Sequence, residues 1–280
     1  MAVTARRAVL LLAPIMALIL AAFVWPAVRL GRISLVEATT SGAMTDAVTI
    51  ANYTAFFSEP ANLELAVNSL LLSAVVTVIT LICAYPLAIV LHRAAPRWQP
   101  LLFALTISPL LVSSVVRTYG WMALLGDRGP VNALLLALDV VAEPVRLVNN
   151  TLGVTIGLVE ILMPYMTLSL VAGFGRLDVA YEEAAASLGA GPVQRFRRVV
   201  FPLTLPGVAL GCGLTFVLTM SSFITPKLLG GGRVFLLATE IYDLAIVRLQ
   251  WPTAATLAVI VLAVLGVTTA WFPRLARRFD

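Results

Sequence analysis

A chain of 280 residues that is 60% hydrophobic and only 12% charged, with a mean hydropathy of +0.99, is no ordinary soluble domain; such a domain has about a quarter of its residues charged. Lipid is the expected solvent for most of it. The net charge of +5 does not point to nucleic acid, because the arginines sit in short clusters between apolar runs and not on one face. One histidine (His92) and two distant cysteines (Cys83, Cys212) cannot build a zinc site or a disulfide framework. The single lysine, Lys227, precedes Leu228, so no GK[ST] phosphate loop exists. Any ATP hydrolysis must come from another polypeptide, and the chain is expected to bind no cofactor itself.

In chain order, Ala8 to Val28 is an apolar run long enough to span, preceded by Arg6 and Arg7. It exceeds a signal-peptide core and lacks a convincing small-x-small cleavage site, so an uncleaved first span is predicted. Residues 29–62, with Thr39, Thr40, Ser41 and Asn52, read as a loop carrying at most a surface helix. Leu63 to Leu91 is the second run, His92 to Gln99 a short basic turn, and Pro100 to Leu125 the third run. Residues 126–150 form a loop around a helix, Val131 to Leu138, too short to cross a membrane. Thr151 to Phe174 is the fourth run, Gly175 to Phe201 a polar segment, and Pro202 to Thr225 the fifth run. Pro226 to Gln250 is a glycine-containing loop. Trp251 to Phe272 is the sixth run, closed by Arg274, Arg277 and Arg278.

The expected fold is an all-α membrane protein with six transmembrane helices. It divides into an N-terminal span and loop (1–62), a core of spans two to six (63–273) and a short tail (274–280). Segments 1–7, 92–99, 175–203 and 273–280 together hold 11 Lys and Arg; the longer segments on the opposite side hold 7. That density places the first set, and both termini, in the cytoplasm. Trp25, Trp98, Trp121, Trp251 and Trp271 fall near predicted span ends, as an aromatic belt requires.

The polar segment 175–203 is the largest cytoplasmic loop of this scheme. Asp178 can cap a short helix with Glu182 and Glu183 in its early turns. Ala184, Ala185 and Ala186 give that helix a face with almost no side chain. Ser187 and Leu188 complete it, Gly189 stops it through a left-handed turn, and Ala190 leads to Gly191-Pro192, which opens a second helix to Val200. Pro202 marks the expected return to the membrane. On physics alone an ordinary amphipathic loop with positive-inside arginines is as good a reading. The pattern Glu183-Ala184-Ala185, three residues, Gly189, nine residues, then Val199-x-Phe201-Pro202 resembles the EAA loop of ABC-importer permeases, with Val and Phe in place of the family's Ile and Leu. Arg117-Thr118-Tyr119-Gly120-Trp121, Leu162-Met163-Pro164-Tyr165-Met166, Pro202-Leu203-Thr204-x-Pro206-Gly207 and Trp251-Pro252 are similar to the spermidine/putrescine permease subfamily. The matches run over roughly residues 65 to 265.

This resemblance implies a type I ABC-importer permease in a bacterial inner membrane, surrounded by lipid and binding no nucleic acid. It implies a second, different permease subunit, a dimeric cytoplasmic ABC ATPase that holds ATP and Mg, and an extracytoplasmic solute-binding protein. It also implies that the EAA helix, Glu182 to Pro192, fits a cleft of the ATPase, and that the solute is a small cation of polyamine type. A secondary transporter or channel without an ATPase is the alternative; inverted repeats and paired intramembrane acids, its usual marks, are not evident. A membrane enzyme lacks a catalytic cluster.

Few ionisable residues fall inside spans. Arg117 and Glu160 both lie about 12–14 Å below the outer surface at 1.5 Å per residue. An unpaired charge there costs about 3 kcal/mol. They are expected to face each other as a structural ion pair or as part of the solute path, unless Arg117 snorkels outward alone. Tyr119, Trp121 and Tyr165 can stack on a cation. Ser221 and Thr225 offer hydroxyls either to a solute or to neighbouring helices. Pro86, Pro109 and Pro164 interrupt spans two, three and four.

Overall fold

The structure, a computed structural model, describes residues 5–38, 44–175 and 177–276. Thr39, Thr40, Ser41, Arg176, Arg277 and Arg278 lie outside the described residues. Helix α1 (Ala5–Ser34) runs past the predicted end at Val28, because neither Pro14 nor Pro26 breaks it. The predicted loop then carries an antiparallel hairpin, β1 (Val36–Ala38) and β2 (Met44–Val48), with Val36 opposite Val48. The fold is helical as expected, with this one small hairpin added. α2 (Ala51–Ser58) follows, and α3 (Pro60–Arg93) keeps its helix through Pro86.

The third apolar run is not one straight span. α4 (Gln99–Ile107) passes into a 3₁₀ turn, Ser108–Leu111, that holds Pro109. Val112 is extended, and α5 (Ser114–Leu125) sets off after a bend of 95°. α6 (Pro130–Ala137) is the short helix expected, with proline in its first turn. α7 (Thr151–Phe174) matches its predicted run at both ends; the Asn150 side chain caps it by accepting from the Gly153 N–H, and Pro164 leaves it unbroken.

α8 (Val179–Ser187) and α9 (Pro192–Arg195) form the two-helix elbow. A π-helical turn, Phe196–Val200, joins α9 to α10 (Phe201–Ser221), so one helical rod of 30 residues runs from Pro192 to Ser221. The second helix of the elbow, expected to end at Val200, runs on through Pro202. A proline without an N–H leaves an upstream carbonyl unpaired, and the wider π turn, in which the Phe201 N–H reaches the Phe196 carbonyl, absorbs that defect. The rod ends at extended Ser222, before α11 (Ile224–Leu229), α12 (Leu237–Tyr242) with its π turn Asp243–Val247, and α13 (Trp251–Ala276). Among the described residues five helices are long and apolar enough to cross a membrane, or six if the bent pair Gln99–Leu111 and Ser114–Ala137 counts as one crossing.

Two compact units result. In the first, residues 1–63 and 240–262, Ser34 is fully buried. Its hydroxyl shares a 2.7 Å hydrogen bond with Tyr53, and its carbonyl accepts from Asn52 Nδ2 (3.1 Å) and Thr256 Oγ1 (3.2 Å). The second, residues 64–239 and 263–280, holds two buried clusters. Leu72 and Val76 of α3 meet Val154, Leu158 and Leu162 of α7 in one; Ala84, Tyr85 and Ala88 meet Met166, Leu170 and Phe174 in the other. Those pairings show α3 and α7 running in the same direction. α7 also packs along α10 on a glycine seam: a Cβ on Gly207 would lie 2.7 Å from Gly173 Cα and 2.9 Å from the Ser169 carbonyl oxygen. Small residues at such a seam let helix backbones approach where lipid supplies no hydrophobic drive.

Candidate functional site

The first candidate site is the elbow. Asp178 caps α8 by accepting from the Ala180 N–H at 2.9 Å. At the other end Gly189 takes φ +81°; its N–H donates to Ala186 O (2.9 Å) and the Ala190 N–H donates to Ala185 O (3.0 Å). This is the Schellman closure that a left-handed glycine permits. Ser187 spends its hydroxyl on the Glu183 carbonyl (3.0 Å). Glu182 receives the Arg93 guanidinium on both carboxylate oxygens, at 2.8 and 3.1 Å, which ties α8 to the end of α3. Glu183, Ala184 and Pro192 are exposed, while Ala185 and Ala190 are half-buried. Leu188 is 89% exposed and Val193 76%, with Tyr181 also open. An elbow fixed at both ends thus presents apolar side chains with nothing covering them.

The second candidate site is the charge cluster between α5 and α7. Arg117 Nη1 lies 3.6 Å from Glu160 Oε1, and the Trp121 indole N–H donates to Glu160 Oε2 at 3.2 Å. Arg117 and Trp121 are four residues apart, one turn, so both reach the same carboxylate. The side chains are 13% and 29% exposed for Arg117 and Glu160. Trp121, read either as a belt residue or as a ring that can stack on a cation, is half-buried and holds the Glu160 carboxylate. Trp121 and Glu160 line a cavity of about 650 Å³.

The other residues singled out from the sequence do not join them. Tyr119 is exposed, and Tyr165 is half-buried against the upper apolar cluster. Ser221 and Thr225, read as offering hydroxyls either to a solute or to neighbouring helices, are both hydrogen-bonded within the protein. Ser221 Oγ donates to the Val217 carbonyl of its own helix at 3.0 Å. Thr225 is buried, its hydroxyl 3.2 Å from that of Thr118, and it fastens α11 to α5. Among the described residues no cluster of His, Cys, Asp or Glu can hold a metal ion. Sequence reading missed Arg93, whose role needs the fold: nothing local pairs position 93 with 182.

Residues 86–280 match the family described as the binding-protein-dependent transport system inner membrane component. The chain belongs to this family. The permease is 36% identical over 212 residues to the spermidine/putrescine transport system permease protein PotB of Haemophilus influenzae, covering 76% of this chain and 74% of that one. It is 33% identical over 229 residues to PotB of Escherichia coli K12, covering 82% and 83%. A molybdenum transport system permease protein, ModB of Mycobacterium bovis, is 29% identical over 212 residues, covering 76% and 78%. Its backbone superposes on a bacterial ABC transporter involved in the import of the acidic polysaccharide alginate with a TM-score of 0.78, over 96% of this chain and 94% of that one, at 16% identity. That likeness shows the fold: the permease is a multi-pass helical membrane protein of the type I ABC-importer class.

Proposed function

We propose that this permease is half of the translocation path of an ATP-driven importer for a small cationic solute of polyamine type. On this reading the chain crosses six times with both termini and the elbow on the cytoplasmic side, which the higher density of arginine in those segments supports. The elbow docks on a separate ABC ATPase that binds ATP and Mg as a dimer. A second, different permease completes the path, and an extracytoplasmic solute-binding protein delivers the solute. The solute class rests on the two PotB relatives, whose names specify spermidine and putrescine.

The observation that carries the coupling role is the open apolar elbow: Tyr181, Leu188 and Val193 are exposed around Gly189 on a two-helix elbow whose first helix is clamped by Arg93. An exposed apolar group on a rigid mount suits a partner cleft. A Cβ at Gly189 would meet nothing within 4 Å, so a substitution there acts outward, on a partner, and on its own backbone only through the left-handed φ. Aspartate tolerates that conformation better than most residues. In the reconstituted complex, Gly189→Asp is expected to abolish ATPase stimulation by the loaded binding protein while the subunits still assemble. Retained stimulation, or solute transport by the purified chain alone, sinks this reading; the second result favours a secondary transporter.

A further inference from the structure

The 650 Å³ cavity beside Glu160 does not stand alone. A second cavity of about 370 Å³ adjoins it, because Thr151 and Thr155 of α7 line both. The first is walled by Ile79 of α3 and by Ile156, Val159 and Met163 of α7, with Trp121 beside Glu160, its one ionisable lining residue. The second carries Glu64 and Asn68 of α3 and Arg233. Since α3 and α7 run in the same direction, the two cavities form a groove along both helices. Glu64 stands 15 residues before Ile79, about 22 Å along the helix axis at 1.5 Å per residue. One carboxylate, Glu64, thus stands in the second cavity and another, Glu160, in the first.

This lining selects a chemistry. A hydrated metal ion would have to shed its water for one carboxylate and hydrocarbon. A neutral apolar molecule would strip water from the acceptor sites of Glu160 that the Trp121 N–H leaves open. An anion in the first cavity would meet Glu160, its one ionisable lining residue. A protonated amine on a hydrocarbon stem satisfies each group: its N–H bonds reach Glu160, its methylenes lie on Ile79, Val159 and Met163, and its charge can approach the Trp121 ring. Glu160 has capacity to spare. Trp121 takes one position on Oε2, while Arg117 Nη1, at 3.6 Å, is beyond hydrogen-bond reach and has no hydrogen-bond partner. Arg117 does not line the cavity. Its charge keeps the attraction of Glu160 for a cation weak, which suits a path that must release what it binds.

We propose that the α3/α7 groove is the stretch of the translocation path that takes an alkyl-ammonium solute, with Glu160 as its specificity-determining acceptor and Glu64 as an outer station. The proposal rests on the importer reading above. It is tested apart from it by cysteine protection in membranes holding the complete complex. Cys83 and Cys212 are replaced by serine, Thr155→Cys places a thiol on the shared wall, and N-ethylmaleimide labelling is followed with butane-1,4-diamine or with the isosteric butane-1,4-diol. The diamine is expected to slow labelling several-fold and the diol to leave it unchanged, a comparison that needs no substitution at Glu160. Glu160→Gln is expected to lose the protection and Glu160→Asp to retain part of it. Equal protection by diol and diamine, no protection by either, or protection unchanged in Glu160→Gln overturns the proposal. Uptake of the diamine by the complete wild-type complex is measured in parallel. Its absence counts against the polyamine reading, whereas uptake together with an unprotected Thr155→Cys counts against the groove alone.

Discussion

Arg93, the last residue of α3, grips both oxygens of Glu182 on α8 with a single guanidinium nitrogen, at 2.8 and 3.1 Å. Eighty-nine positions separate the two in sequence, and the contact makes the elbow follow the end of α3. Arg93 is more than half exposed, so the pair adds little to folding, about 0–1 kcal/mol. Arg93→Glu and Glu182→Arg are each expected to leave the melting temperature of the purified permease unchanged and to reduce ATPase stimulation in the complex. The double swap should recover most of it; a swap no better than either single change would show that the bridge is not the tie.

Gly207 is pressed against Gly173 and the Ser169 carbonyl. Gly207→Ala has to push α7 and α10 apart and should cost about 1–3 kcal/mol, as overpacking does. Gly266→Ala meets nothing within 4 Å inside α13 and should be neutral or gain up to about 1 kcal/mol from helix propensity. Thermal unfolding in detergent separates the two, and equal melting points would refute the seam.

Asp178 supplies the side-chain cap of α8. Asp178→Ala should loosen that helix by about 1 kcal/mol, whereas Asp178→Ser should not. Hydrogen exchange of the Val179–Ser187 amides is the readout, with faster exchange expected in the alanine variant alone.

Removing one member of the α5/α7 ion pair leaves a charge in an apolar setting. Glu160→Gln strands Arg117, at a cost of about 3 kcal/mol, and Arg117→Met strands Glu160 with only the Trp121 N–H. The double variant has no stranded charge, so its yield of monodisperse protein should exceed that of either single variant. Additive losses would mean that the two charges are independent.

The elbow was legible because its rules are local. A cap is an acid before a helix, a Schellman closure is a glycine after one, and a proline opens the next; Asp178, Gly189 and Pro192 carry those signals within a few residues of where they act. The bend in the third span was not. Pro109 hinted at a break, but an apolar run reports that a segment is in lipid and says nothing of its direction. The π turn before Phe201 is equally hidden, since Pro202 signals only that a bond is missing and not how the backbone repairs it. The closeness of Arg117 and Glu160 was suggested by equal depth alone, while the Trp121 contact depended on a helix phase that the bend resets. For the Thr225 hydroxyl the sequence left two uses open, a solute or a neighbouring helix. The fold gives it to Thr118.

The unbroken rod from Pro192 to Ser221 has a mechanical meaning. Gly207, where it is pinned to α7, divides it into arms of about 22 Å towards Pro192 and about 21 Å towards Ser221 at 1.5 Å per residue. A beam with its fulcrum so near the middle neither amplifies nor diminishes a stroke. It reverses it: a tilt of the rod about Gly207 that carries Pro192 one way carries Ser221 about as far the other way.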